Sequence, residues 1–76
     1  MASGFEWRCI RRVGAWGWDT LGVGQTADYA EALRAAERAA GWDRLQSPSP
    51  PATADREAII SVRPVGGSRW TVMAVW

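Results

Sequence analysis

The chain has 76 residues, of which 47% are hydrophobic and 22% charged, and its formal net charge is +1. This length and composition predict one small globular domain, residues 1–76, and exclude a disordered chain. No apolar run reaches the roughly 20 residues that span a bilayer, the single cysteine excludes an internal disulfide framework, and the absence of histidine removes most zinc and triad chemistry. We therefore expect a cytoplasmic protein that is not an enzyme and uses no metal, cofactor, small-molecule substrate or membrane.

The first half of the chain predicts a β-hairpin followed by a helix. Apolar and polar residues alternate over 5–23 on either side of a glycine-containing turn at 14–17. Acidic residues then precede basic ones over 26–41, which matches the helix dipole. Thr26 is the expected N-cap of this helix and Gly41 its expected C-cap.

The second half predicts a long loop and a second hairpin. Residues 43–57 hold three of the four prolines and are expected to be extended and irregular. Residues 58–76 form two further alternating segments separated by the Gly66–Gly67 turn. The predicted fold is therefore α+β, in the order ββαββ, with one helix packed on one face of a four-stranded, mainly antiparallel sheet.

A single helix covers only one face of such a sheet, so we expect the other face to be open. Strand alternation assigns to the helix side Phe5, Trp7, Cys9, Trp18, Ile60, Val62, Trp70, Val72 and Trp76. It assigns to the open side Arg8, Ile10, Arg12, Leu21, Val23, Ile59, Ser61, Arg63, Val65, Arg69, Thr71, Met73 and Val75. Both assignments depend on the phase of each strand, because a shift of one residue moves every side chain to the other face.

The predicted open side mixes aliphatic residues with arginines, whereas a solvated antiparallel face is usually polar throughout. An apolar patch rimmed by charge is typical of an interaction surface. Alternatively, the arginines keep exposed strands soluble and protect the sheet edges. We expect binding of another protein, or of a second copy in a homodimer, through this side. The residues predicted to contact the partner are Arg8, Ile10, Arg12, Leu21, Ile59, Arg63, Arg69 and Met73.

Charge is unevenly distributed along the chain. The two hairpins carry five arginines against two carboxylates, a net charge of +3, whereas residues 26–57 carry a net charge of −2. A basic sheet suggests a second hypothesis, a nucleic-acid-binding domain that uses the sheet arginines and aromatic residues. Its phosphate contacts would be Arg8, Arg11, Arg12, Arg63 and Arg69. The total charge of +1 is lower than that of most nucleic-acid-binding domains, so protein binding is the preferred interpretation.

Three features that could carry chemistry have simpler explanations. Residues 22–27 match the G-x-G-x-x-A fingerprint of dinucleotide-binding proteins, but a proline loop follows where that fold requires a parallel strand with an acidic residue. We expect a bend and a helix cap instead. Cys9 lies on the predicted core side, where cysteines are usually unreactive, and Asp55 and Glu57 are expected to be solvated or to cap a turn.

Small inhibitors of host machinery that phages and mobile elements encode, anti-CRISPR proteins among them, are similar to this chain in size and composition alone. That similarity suggests that the expected protein-binding module inhibits such machinery.

Overall fold

The computed structural model describes residues 4–55 and 57–74, the last two by their backbone alone. The elements in chain order are β1 (Phe5–Val13), β2 (Gly17–Thr26), α1 (Tyr29–Ala39), β3 (Ala58–Pro64) and β4 (Thr71–Ala74). The strands form one sheet in the order β2-β1-β3-β4, and every neighbouring pair is antiparallel. The structure thus confirms the predicted small single-domain α+β fold with the order ββαββ.

The helix begins later than the sequence predicts. The N-cap is Asp28, whose carboxylate accepts a hydrogen bond from the backbone N–H of Glu31 at 2.8 Å. Thr26, the predicted cap, is instead the last residue of β2, because that strand stays paired with β1 as far as Phe5. At the other end Ala40 is the C-cap and Gly41 follows it with φ +97°, a left-handed conformation that favours glycine.

The core lies between α1 and one face of the sheet. Cys9 and Ile60 of the sheet pack with Ala36 and Ala40, and all four are at most 3% exposed. Alanine has a small side chain, so the helix can lie close to the strands. The indole of Trp7 also packs against this cluster, as expected for the helix side of the sheet.

The G-x-G motif lies within β2 and not at a strand-to-helix turn. Gly24 pairs with Trp7, and Gly22 pairs with Cys9. A Cβ atom on Gly24 would lie 2.8 Å from Nε1 of Trp7, and one on Gly22 would lie 3.0 Å from its Cη2. The glycines therefore make room for an indole ring on the helix side, which explains the motif without a nucleotide.

The loop between α1 and β3 packs on the helix side of the domain. The Trp42 indole is buried and donates a hydrogen bond to the Ser47 carbonyl at 3.2 Å. Further along the loop, the backbone N–H of Asp55 donates to the Ala40 carbonyl at 2.8 Å. The described chain measures 40 × 33 × 15 Å, a thin slab that consists of one sheet with one helix and one loop on the same side. Among the residues described, no helix has the length and apolarity needed to cross a bilayer.

Candidate binding surface

The face of the sheet that points away from α1 is called the open face below. In an antiparallel pair, residues directly opposite each other project from the same face. On β1, Arg8 is opposite Ser61 of β3, and Ile10 is opposite Ile59. Cys9, between them in sequence, lies in the core under the helix. Arg8, Ile10 and Ile59 therefore lie on the open face, where the sequence predicts them.

A β-bulge changes the side assignment in β2. Cys9 pairs with Gly22 but Ile10 pairs with Thr20, so Leu21 is an extra residue between the two pairs. Leu21 packs against the core cluster, and its predicted place on the open face is wrong. The extra residue also moves the side chains of residues 17–20, the earlier part of β2, to the faces opposite to those predicted. Trp18 is opposite Arg12 on the open face, 54% exposed, and its predicted place beneath the helix is wrong.

A second irregularity reverses the phase of β4. Ile60 pairs with Ala74, whereas Ser61 pairs with Val72 and Val62 with Thr71. Val72 is therefore on the open face and Thr71 on the helix side, the reverse of the prediction. The extra residue in this strand is Met73.

Three of the positions predicted near the C-terminus stay predictions. The side chain of Met73, and residues Val75 and Trp76, lie outside the described part of the chain.

Trp70 lies on the open face with two arginines, and its predicted place beneath the helix is also wrong. The Cζ atoms of Arg8 and Arg63 lie 4.6 and 4.2 Å from the centre of its ring, which is the geometry of cation–π contacts. The Nε of Arg63 also donates to the Glu6 carboxylate at 2.7 Å. These contacts join residues of β1 and β3 to the segment that leads into β4.

The arginines of this face differ in how far their charge is compensated. Arg63 is paired with Glu6, and both side chains are partly buried. The Nε of Arg8, by contrast, is buried without a hydrogen-bond partner. Arg12 is exposed and donates to the Ala15 carbonyl at 3.4 Å. Within the described ranges, neither Arg8 nor Arg12 forms an ion pair, so these two positive charges remain available.

The two other arginines of the hairpins have different surroundings. Arg11 is on the helix side, where its guanidinium contacts the carboxylates of Asp19 at 3.4 Å and Asp55 at 3.3 Å. It is therefore removed from the set of phosphate contacts that the nucleic-acid hypothesis requires. Arg69 is exposed in the connection before β4.

The apolar part of the open face is exposed to solvent. Val23 is 65% exposed and Val72 is 59% exposed, in addition to Trp18, and the partly buried Ile10 and Ile59 lie opposite each other near its centre. A shallow cavity of about 240 Å³ adjoins the Trp70 cluster. It is lined by Glu6, Trp7, Val23, Gly24, Gln25 and Trp70. The sequence pattern did not place Trp18 and Trp70 on this face, because only the pairing register reveals the two bulges.

The lone cysteine has the environment of a structural residue. Cys9 is fully buried, and this burial, with a smaller effect from the negative charge of Asp55, raises the pKa of its thiol to about 11. At neutral pH the thiol is protonated, and a protonated thiol is a poor nucleophile.

The chain matches no family model, no curated protein and no solved structure.

Proposed function

We propose that this protein is a non-enzymatic protein-binding module whose contact surface is the open face of its sheet. The observation that carries the proposal is the exposure of Trp18, Val23 and Val72 beside arginines on the one sheet face that the helix does not cover. A face that only had to remain solvated would carry polar residues at these strand positions. Contact with water is unfavourable for hydrophobic side chains, so a partner that covers them lowers the free energy of the system.

The composition of this face also supports a protein partner. Tryptophan and arginine are the residues most enriched among the energetic centres of protein interfaces. Here Trp18 is beside Arg12, and the pair formed by Ile10 and Ile59 provides an aliphatic centre. The partner is another protein or a second copy of this chain. Small size and composition support the narrower proposal of an inhibitor of host machinery.

A pair of tryptophan variants tests the proposal with a matched control. Trp18→Ala removes an indole from the open face, whereas Trp16→Ala removes one that is 96% exposed in the turn between β1 and β2. We expect both variants to fold as the wild type does. Affinity capture from source-cell lysate, with and without nuclease, should recover a protein with wild type and Trp16→Ala and lose it with Trp18→Ala. Equal capture by both variants, or capture that nuclease abolishes, would contradict the proposal.

One observation favours the second candidate, a nucleic-acid-binding domain. The register places Trp18 next to Arg12 on an exposed basic face, and an indole beside a guanidinium can stack a base and hold a phosphate. Two observations weigh against it, because Arg11 lies on the other side and Arg63 is compensated by Glu6. This candidate requires oligonucleotide binding that weakens with salt and is lost in Arg12→Glu. Absence of any mobility shift at low salt would eliminate it.

A further inference from the structure

The charge on the open face favours an acidic occupant. Its strand positions carry Arg8, Arg12 and Arg63 against the single carboxylate of Glu6, a net charge of +2. Glu6 is already engaged by Arg63. The remaining positive charge therefore belongs to Arg8 and Arg12, and a partner that brought positive charge to this face would be repelled.

Of these two arginines, Arg8 has its guanidinium held in place by a contact within the domain. Its guanidinium is held 4.6 Å from the centre of the Trp70 ring, and its Nε is buried without an acceptor. A partner cannot reach this buried Nε, so a carboxylate binds Arg8 through the Nη groups of the same guanidinium, as a charge-assisted hydrogen bond. Stacking on Trp70 also limits the orientations of the side chain, so less conformational entropy is lost when a carboxylate binds.

The neighbours of Arg8 indicate which kind of acidic partner fits. In the register, Val23 and Ser61 flank Arg8, and the pair of Ile10 and Ile59 lies next along the strands. Ser61 is buried beneath this face, whereas Val23, Ile10 and Ile59 suit aliphatic groups better than nucleobases, which stack on aromatic rings. The Trp70 ring on this face is already in contact with two guanidinium groups.

A second copy of the chain is a poor occupant for the same face. Face-to-face pairing would bring a net charge of +2 against a net charge of +2, and like charges placed together oppose binding. The geometry points to an acidic, aliphatic segment of another protein, with one of its carboxylates bound to Arg8. This inference rests on the proposed protein-binding function and specifies the chemistry of the partner.

The test uses three probes of defined chemistry on the full chain. The first is a short synthetic peptide in which valine alternates with glutamate, the second replaces each glutamate with glutamine, and the third is oligo-deoxythymidine of similar length. Binding is followed by calorimetry and by nuclear magnetic resonance of the Arg8 Nε–H and the tryptophan indole N–H groups. We expect the glutamate peptide to bind about tenfold or more tightly than the glutamine peptide and to shift the Arg8 signal.

Variants separate the role of Arg8 from general charge. Arg8→Gln should remove the preference for glutamate over glutamine, and Arg8→Lys should restore only part of it because lysine lacks the planar fork. Arg38→Gln, the same charge change on the exposed side of α1, should leave the preference intact. Equal binding of the two peptides, binding of neither peptide, or an unchanged preference in Arg8→Gln would overturn the inference.

The outcome also separates this inference from the proposed function. Tighter, Arg8-dependent binding of the oligonucleotide would replace the acidic segment by a nucleic acid and contradict both. Failure of the peptides together with capture of a protein that depends on Trp18 would overturn only the acidic partner and leave the protein-binding function standing.

Discussion

At the scale of single residues, the packing of Trp7 explains two glycines in β2. The indole lies over Gly22 and Gly24, so a side chain at either position would displace it. A motif that resembles a phosphate-binding loop in sequence is therefore a packing requirement of the core. This packing can be tested directly, because neither glycine has a positive φ and alanine is compatible with the backbone there.

We expect Gly24→Ala to lower the free energy of unfolding by about 1–3 kcal/mol, since its Cβ would lie 2.8 Å from Nε1 of Trp7 and the indole must move. Urea unfolding followed by tryptophan fluorescence measures the change. Gln25→Ala, at the next and exposed position, is the control and should change stability by less than about 0.5 kcal/mol. A similar small change in Gly24→Ala would show that Trp7 does not need this space.

The buried thiol of Cys9 predicts a loss of stability in alkali. Its pKa is raised from 9.0 to about 11 in the folded chain, so the thiol ionises at a lower pH in the unfolded chain than in the folded one. The free energy of unfolding is unaffected by this group below pH 9 and falls as the pH rises towards 11. The complete loss from this one thiol is about 3 kcal/mol. We expect urea unfolding across this range to show a larger loss for wild type than for Cys9→Ala. Parallel losses in the two proteins would contradict the prediction.

At the scale of elements, an ion pair between a buried carboxylate and a half-exposed arginine attaches the proline-containing loop to the helix. Glu37 of α1 is fully buried, and its carboxylate accepts hydrogen bonds from Nε and Nη2 of Arg44 at 3.0 and 2.5 Å. Arg44 also lies over the ring of Trp42, 4.4 Å from its centre. The hydrogen bond to Glu37 raises the pKa of Arg44. The loop thereby stays on the helix side, which leaves the opposite face of the sheet open.

Removal of one partner of this ion pair should destabilise the domain more than removal of both. Arg44→Met leaves the Glu37 carboxylate buried without its cation, at a cost of about 2–4 kcal/mol. Half of the Arg44 side chain is exposed, so solvent keeps the loss towards the lower end of that range. The double variant Glu37→Met with Arg44→Met should recover part of the loss in chemical unfolding. Arg38→Met, at an exposed position of the same helix, is the control and should leave the free energy of unfolding nearly unchanged. An equally small change in Arg44→Met would show that other contacts hold the loop.

At the scale of the whole molecule, one helix and one loop on the same side produce a slab that is 15 Å thick. The uncovered face carries both the exposed indole of Trp18 and uncompensated positive charge. Hydrophobic exposure favours association of two such slabs, whereas their net charge of +2 on each open face opposes it. Ionic strength should decide between the two effects, because salt screens repulsion between exposed charges.

We expect light scattering at low salt to give the mass of a single chain, 8.3 kDa, and the average mass to rise as salt screens the arginines. Arg12→Gln should begin to associate at lower salt than wild type, since it removes one exposed and unpaired charge. The helix variant Arg38→Gln should behave as wild type. A stable mass of two chains at low salt would instead support the homodimer.

The regular elements could be predicted from local pattern. The alternation in β1 places Trp7 and Cys9 in the core and Arg8 and Ile10 on the open face, because β1 itself has an uninterrupted period of two. The charge order over residues 26–41 predicts the helix. Its start was misplaced because the side chains of Thr26 and Asp28 are both capable N-caps. Only the pairing of β2 with β1 shows that the strand still includes Thr26.

The sequence alone determined the fold class, the central strand and the fact that one helix must leave a sheet face uncovered. The tertiary structure decided which side chains occupy that face. The bulge at Leu21 and the irregularity at Met73 each reverse the phase of an outer strand, and they bring Trp18 and Val72 to the open face. A bulge is set by how a strand fits its neighbour and the core, not by its own alternation, so its effect becomes visible only when the strands are paired.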